Sequence, residues 1–173
     1  MTMQKKNATR NIVMAALLAA LTCVMTMVVK IPSPMQGYIN LGDGAVLLCG
    51  WLLPPGYGFM AAGLGSAMAD LFAGYLTYAP ATFLIKGLMA LIAFYGVKLL
   101  AKRWRDLPAR VVAGIAAEIL MVLGYYLFEG VFYSDFIAVA VNIPANAVQG
   151  VAGLILGIVL SKIFQKTNLF TKL

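Results

Sequence analysis

The sequence predicts an all-α membrane protein, a six-transmembrane-helix bundle that forms one domain over residues 1–173 with both termini cytoplasmic. Composition is the first reason, because 62% of the residues are hydrophobic and 11% are charged, whereas about a quarter of residues are charged in soluble domains. The second reason is that apolar segments run from Asn11 to about Phe164 with only short breaks. The third is that most basic residues fall on one side of those segments.

We place the spans at residues 11–29, 40–53, 57–75, 80–101, 109–129 and 138–162. About 20 helical residues cross a hydrocarbon core of roughly 30 Å. The first span follows basic residues, as in a signal peptide, but its apolar core exceeds the roughly 7–15 residues of such a peptide, so a retained helix is predicted. The second span is short and begins with Gly42 and Gly44. It is therefore expected to be tilted or partly non-helical where protein covers it.

Eleven of the thirteen lysine and arginine residues fall on one side when these spans are drawn. They precede span one, surround the turn between spans four and five, or follow span six. Because basic loops stay in the cytoplasm, that side is predicted to be cytoplasmic. Lys30 is then the one external cation and Lys86 the one cation within a span. Topology and contact with anionic membrane lipid account for the formal charge of +7, and no nucleic-acid partner is expected.

The residue types needed for most catalysis are missing. The chain contains no histidine, the commonest metal ligand and proton relay, and Cys23 and Cys49 lie in apolar spans, where thiols mostly pack. We therefore expect no catalytic residue, metal site or cofactor, and no enzyme. A carboxylate-only enzyme built on Asp43, Asp70 and Glu118 remains an alternative without supporting spacing. No GxxxxGK[ST] loop is present, so ATP-driven work is expected to need a partner protein.

Polar side chains inside the spans mark a candidate binding site, because a charge at mid-membrane costs roughly 2.5–3.5 kcal/mol and has to face protein or water. They are Asn40, Asp43, Asp70, Lys86, Glu118, Asn142, Asn146 and Gln149. Glu118, Tyr125 and Glu129 share one face of span five, as the three amides do in span six. Both stripes rise toward the external side. Asp70 and Lys86 lie at similar depth, within reach of a structural ion pair or a shared ligand.

The external loops add aromatic and rigid elements to this picture. The first loop, from Lys30 to about Ile39, contains two prolines and a glycine, and the next loop contains Tyr75 and Tyr78. An interfacial aromatic belt is the alternative for each tyrosine, and hydrogen bonding between helices is the alternative for each amide. Together these features predict an outward-facing pocket for a small polar or aromatic molecule.

Four stretches of the chain, taken in order, carry a family resemblance. They are Tyr38-Ile-Asn-Leu-Gly-Asp43, Gly63-Leu-Gly-Ser-Ala-Met-Ala-Asp70 leading to Gly74-Tyr75, Tyr78-Ala-Pro-Ala-Thr-Phe-Leu-Ile-Lys-Gly87, and Asn142-Ile-Pro-Ala-Asn146 through Gln149-Gly150. In these motifs and in length the chain resembles the S components of energy-coupling factor (ECF) vitamin transporters. The branch that it most resembles includes members assigned to hydroxymethylpyrimidine, pyridoxine-type compounds and riboflavin.

The resemblance implies a subunit of the prokaryotic plasma membrane that captures a vitamin from outside. It implies docking on a transmembrane T component and two cytoplasmic ATPase subunits, whose ATP hydrolysis drives uptake. It also implies a substrate pocket at Asn40, Asp43, Tyr75, Tyr78, Lys86, Glu118, Tyr125, Asn142, Asn146 and Gln149. The family's alanine motif, which contacts the T component, matches Ala15-x-x-x-Ala19 here. Internal packing is the alternative for these alanines.

The ligand class follows from the side chains of this implied pocket. Tyrosines stack on flat rings, amides pair with ring nitrogens and hydroxyls, and Asp43 or Glu118 would accept from an amine, a hydroxyl or a protonated nitrogen. A pyridoxine-like or hydroxymethylpyrimidine-like ligand is favoured, with riboflavin as the larger alternative. The alternative function is a small proton-coupled carrier that works alone.

Overall fold

The computed structural model describes residues 3–33 and 37–166, most of which are helical. The helices are α1 (Met3–Val28), α2 (Gly42–Leu52), α3 (Pro55–Ala73), α4 (Ala79–Leu100), α5 (Asp106–Phe132), the four-residue α6 (Phe136–Val139) and α7 (Ile143–Lys166). A two-stranded antiparallel hairpin, β1 (Ile31–Pro32) and β2 (Tyr38–Ile39), lies between α1 and α2. The all-α class is confirmed, and the small hairpin is an element that the sequence did not predict.

Among the described residues, four helical segments are long and apolar enough to cross a membrane. They are Asn7–Val28, Ala79–Leu100, Asp106–Phe132 and Phe136–Lys166. The chain is therefore a multi-pass α-helical membrane protein. Helix α2 is not one of these four because it has only 11 residues. Helix α3 is not one of them either, because Asp70 and several glycines make it less apolar. Six spans and cytoplasmic termini remain predictions.

Local sequence explains where α3 and the last helix begin and end. Pro55 stands at the start of α3, where its missing N–H costs nothing, and Gly74 ends α3 with a φ of +85°, a left-handed conformation that glycine adopts freely. The helix is interrupted where the span at 138–162 is predicted to begin, inside the apolar segment Phe136–Lys166. There Asp135 caps α6 by accepting from two backbone N–H groups, and a 3₁₀ turn (Ala140–Asn142) precedes α7. Asn142 consequently lies in a turn and not on α7.

Helix α2 occupies the centre of the bundle. Every residue from Gly42 to Gly50 is buried, and α2 packs against α1, α3, α4 and α7. Its first turn meets the polar side chains of the bundle, and its remaining residues belong to the apolar core. The second span therefore contains a short regular helix that other helices cover, and its tilt stays a prediction.

The close approach of α2 to α4 at Gly50 yields a stability prediction. A β-carbon on Gly50 would lie 2.4 Å from the Ala90 carbonyl oxygen and 2.7 Å from the Ala93 β-carbon, so the two helices would have to separate. Gly50→Ala is expected to lower the free energy of unfolding by about 2 kcal/mol, within the usual range for overpacked cores. Denaturant titration of the purified protein in mixed micelles measures this change.

Gly56 provides the matched control, because a β-carbon there would meet no atom within 4 Å among the described residues. Gly56→Ala is expected to be neutral or slightly stabilising, since alanine is the better helix former. Equal losses of stability in Gly50→Ala and Gly56→Ala would show that the α2–α4 contact is not as close as described.

Candidate binding site

A cavity lies at the end of the bundle where the β1–β2 hairpin and the connection 74–78 come together. We call it the loop-end cavity. It is lined by Ser33, Gly37, Tyr38, Asn40, Asp70, Tyr75, Tyr78, Thr82, Tyr125, Glu129, Asn146 and Gln149. Its volume of about 40 Å³ corresponds to about three water molecules. A ring-sized ligand therefore needs the bordering side chains to move apart.

The floor beneath this cavity is a buried ion pair. The Lys86 ammonium of α4 contacts the Asp43 carboxylate of α2, and the side chains are 3% and 0% exposed. The ammonium also lies 5.3 Å from the centre of the Tyr125 ring. The predicted proximity of Lys86 to Asp70 therefore does not lead to an ion pair between them, because α2, and not α3, supplies the carboxylate.

Gln149 of α7 connects this ion pair to the segment that precedes α2. Its Nε2 donates to Asp43 Oδ2 at 2.7 Å, and its Oε1 accepts from the backbone N–H and the side-chain amide of Asn40 at 2.9 and 3.2 Å. Asn40 Oδ1 in turn accepts from the Gly42 N–H at 2.9 Å. The network satisfies polar groups that are costly to bury unpaired. It also links α2, α4 and α7 to one another.

The walls of the cavity combine tyrosines with carboxylates. Tyr38 donates to Asp70 Oδ1 at 2.8 Å, and the Tyr38 and Tyr75 ring centres are 5.0 Å apart. Across the cavity, Glu129 accepts from the Tyr78 hydroxyl at 3.4 Å and from Asn142 Nδ2 at 2.9 Å. Hydrogen bonds thus fix both acidic groups in place.

The environment of the two loop tyrosines keeps them neutral. Burial, followed by the nearby Asp70 carboxylate, raises the pKa of Tyr38 far above its usual value. Burial is also the largest cause that raises the pKa of Tyr78, with the hydroxyl of Tyr133 and the carboxylate of Glu129 adding to it. Both phenols therefore stay protonated and act as hydrogen-bond donors at neutral pH.

The structure brings together six of the residues predicted for the pocket. Asn40, Tyr75, Tyr78, Tyr125, Asn146 and Gln149 line the loop-end cavity. Asp43 and Lys86 form the ion pair beneath it, and Asn142 does not line the cavity but donates a hydrogen bond to Glu129, which does. Their role in binding a substrate stays a prediction.

Glu118 does not line the loop-end cavity. It borders an apolar groove between α5 and α7, where its carboxylate lies over Gly150 and Gly153. Neither of its oxygens has a hydrogen-bond partner among the described residues. Glu118 therefore lies near the Asp43–Lys86 ion pair, with which it interacts electrostatically, and not with the predicted residues that line the cavity, because the helix face that it shares with Tyr125 turns toward α7 at this depth.

Several lining residues were not among those predicted. They are Ser33, Gly37, Tyr38, Asp70, Thr82 and Glu129. Glu129 shares a helix face with Tyr125, and Thr82 lies one turn after Tyr78, so helical spacing contained a signal for both. Asp70 is predicted to form an ion pair or share a ligand with Lys86, but it is not among the residues of the implied substrate pocket. No spacing rule connects Ser33, Gly37 and Tyr38 to the site, because an irregular hairpin brings them there.

The alanine motif of α1 lies at the edge of a packed interface. Ala15 and Ala19 are half-buried against the core, and a β-carbon on Gly65 of α3 would lie 2.4 Å from the Ala19 carbonyl oxygen. Ala16 and Ala20 on the neighbouring face are exposed. The contact of Ala15 and Ala19 with a partner protein therefore stays a prediction, and internal packing accounts for at least part of their surface.

The opposite end of the bundle is held by a second polar cluster. Arg110 Nε donates to both carboxylate oxygens of Asp106 at 2.9–3.0 Å, and Gln165 Nε2 donates to Asp106 at 3.3 Å. The Arg110 guanidinium also lies 5.5 Å from the centre of the Trp51 ring. These contacts join the end of α2, the start of α5 and the end of α7.

Fold and site together define a multi-pass membrane protein with a polar, aromatic cavity at one end of a helical bundle. A family model described as "ECF-type riboflavin transporter, S component" matches residues 6–166, and the chain belongs to this family. It is therefore a vitamin-binding transporter subunit of the membrane and not an enzyme, as the sequence predicted.

The chain is also similar to one curated protein and to two solved structures. A Pyrococcus woesei protein, described as an uncharacterized protein in the gap 3′ region, is 40% identical over 144 residues, which are 83% of this chain and 93% of that protein. Two solved structures share the fold. An S component of a bacterial ECF transporter has a TM-score of 0.71 at 20% identity over 92% of this chain and 98% of that one. An S component for biotin has a TM-score of 0.62 at 18% identity, over 94% and 95% respectively.

Proposed function

We propose that the chain binds a single-ring vitamin or vitamin precursor, pyridoxine-like or hydroxymethylpyrimidine-like, in the loop-end cavity. The observation that carries the proposal is the convergence of tyrosines, amides and carboxylates from two connections and from helices α3, α5 and α7 on one small space, in a chain of the S component family. Stacking on tyrosine and pairing with amides suit a flat ring that bears nitrogens and hydroxyls. The small volume favours one ring over a larger ligand.

Riboflavin is the second candidate, because the matching family model is described as that of a riboflavin transporter. A three-ring ligand needs a larger opening of the cavity than a single ring does. Titrating the purified protein with pyridoxine, with the vitamin precursor hydroxymethylpyrimidine and with riboflavin separates these candidates. If the ligand has a single ring, one of the first two compounds is expected to bind more tightly than riboflavin.

Asn146 offers the sharpest test of where the ligand binds. Its half-buried side chain lines the loop-end cavity, so Asn146→Leu is expected to weaken binding by more than tenfold through loss of a polar contact. Val148→Leu is the matched control, because Val148 lies on the same helix with 63% of its surface exposed. Isothermal titration calorimetry in detergent measures both. Unchanged affinity in Asn146→Leu would remove this residue from the binding site.

We further propose that the chain acts with a T component and two ATPase subunits in a prokaryotic plasma membrane, with six spans and cytoplasmic termini. Family membership supports this arrangement, as does the one-sided distribution of basic residues in the sequence. Co-purification of the tagged chain with such subunits tests it. Uptake by the lone protein in liposomes, driven by a proton gradient, would instead support a self-sufficient carrier.

A further inference from the structure

Asp70 of α3 borders the loop-end cavity, and one of its carboxylate oxygens lacks a hydrogen bond. The residue is only 6% exposed, and its Oδ1 accepts the hydrogen bond from Tyr38. Its Oδ2 is buried and has no hydrogen-bond partner among residues 3–33 and 37–166. The Thr82 hydroxyl on the facing helix lies near this carboxylate and is within 3.1 Å of the Tyr125 hydroxyl. A buried acceptor without a donor is costly, so a donor that enters the cavity would stabilise this side chain.

The charges around the cavity point to the kind of donor. Its lining contains two acidic residues, Asp70 and Glu129, and no basic residue among the described ones. The nearby ammonium of Lys86 is held beneath the cavity by Asp43. Charges in a protein interior interact more strongly than in water, so the cavity favours a cationic or amine-bearing ligand and disfavours an anionic one.

The aromatic lining restricts the shape of such a ligand. Tyr38 and Tyr75 lie with ring centres 5.0 Å apart, and Tyr75 meets Tyr78 edge to face at 6.1 Å. Tyrosine faces attract cations as well as flat rings. A planar ring with a positive or strongly polarised N–H group therefore matches both the walls and the free oxygen.

We propose that the loop-end cavity selects aromatic heterocycles that carry an amino group, and that Asp70 Oδ2 accepts the hydrogen bond from this group. The inference rests on the proposed function and makes it more specific. Asp70, and not Asp43 or Glu118, is the carboxylate that recognises the ligand, because Asp43 is saturated by Lys86 and Gln149 and Glu118 borders a different groove. Phosphate esters and carboxylic acids of the same ring size are rejected.

Matched ligands test the selectivity in the wild-type protein. Pyridoxamine has an amino group where pyridoxine has a hydroxyl. Hydroxymethylpyrimidine likewise has an amino group on its ring where its oxo analogue has an oxygen. In calorimetric titrations at neutral pH, the amine is expected to bind at least tenfold more tightly than its partner in at least one pair. Pyridoxal 5′-phosphate is expected not to bind. Equal affinities within both pairs, or binding of riboflavin alone, would overturn the inference and leave the proposed function standing.

Two variants test the role of Asp70 itself. Asp70→Asn keeps an oxygen for the Tyr38 hydroxyl but removes the charge, and it is expected to weaken binding of the preferred amine at least tenfold while changing that of its neutral partner less than threefold. Tyr38→Phe removes the hydrogen bond between Tyr38 and Asp70 and leaves the carboxylate in place, so the preference for the amine should persist. Loss of that preference in Tyr38→Phe, or equal weakening of both ligands in Asp70→Asn, would contradict the inference. Failure of the wild-type protein to bind any of these heterocycles would contradict the proposed function itself.

Discussion

Replacing Lys86 by methionine is expected to lower the free energy of unfolding by about 3–5 kcal/mol. The Asp43 carboxylate is wholly buried, and Lys86 is its one cationic partner among the described residues. Methionine fills a similar volume without supplying charge, so Asp43 would remain as a buried anion with a single donor, the Gln149 amide. Removal of one member of a buried ion pair typically costs this much, because the other member is left uncompensated. Denaturant titration in mixed micelles measures the loss.

A double variant separates loss of the charge from loss of packing. In Lys86→Met/Asp43→Asn both charges are gone, while the new amide oxygen still accepts from Gln149. This variant is expected to recover most of the lost stability, because replacing a buried ion pair as a whole is often close to neutral. If it is as unstable as Lys86→Met alone, the stability of this region does not depend on the balance of charge.

Gln149→Leu is expected to cost about 3 kcal/mol of stability and to abolish measurable ligand binding. The leucine would leave the Asn40 backbone N–H, the Asn40 amide and Asp43 Oδ2 without the partner that they share. Each buried polar group left unsatisfied costs about 1–3 kcal/mol, and part of this is relieved by local rearrangement. Because Asn40 and Gln149 also line the loop-end cavity, the same rearrangement deforms the site. Thermal unfolding and calorimetric titration of one sample report both effects.

Asn146→Leu serves as the stability control for this experiment. Asn146 lies on the same helix and lines the same cavity, but its half-buried side chain does not take part in the bonds around Asp43. It is expected to lose binding with little change in stability. Equal destabilisation by the two substitutions would mean that the network around Gln149 adds no more than an ordinary lining contact does.

The sequence predicted the long helices because their signals are local. Helices α3, α4 and α5 were predicted within a few residues of their observed limits. The signals were runs of apolar residues bounded by Pro55, by Gly74 and by the basic turn before α5. The sequence did not predict the division of the last apolar segment into α6, a 3₁₀ segment and α7, because its apolar character continues through the turn that follows the Asp135 cap. Hydropathy alone does not distinguish an apolar turn from an apolar helix.

The site was less predictable because it depends on how the helices are oriented and packed against one another. Depth along a helix follows from residue count, so Asp70 and Lys86 were placed at similar heights. Which carboxylate the lysine meets depends on the packing of α2 at the centre of the bundle, and α2 supplies Asp43. Glu118 illustrates the same point, since a shared face with Tyr125 did not bring both into one cavity.

The central claim is that a small heterocycle occupies the loop-end cavity, and mass spectrometry tests it most directly. The wild-type protein and Asn146→Trp, whose indole would fill the space of about 40 Å³, are purified in parallel from cells grown in rich medium and denatured, and the released small molecules are identified. We predict close to one equivalent of a single heterocyclic compound from the wild-type protein and almost none from the variant. The same compound in equal amount from both proteins, or none from either, would contradict the claim.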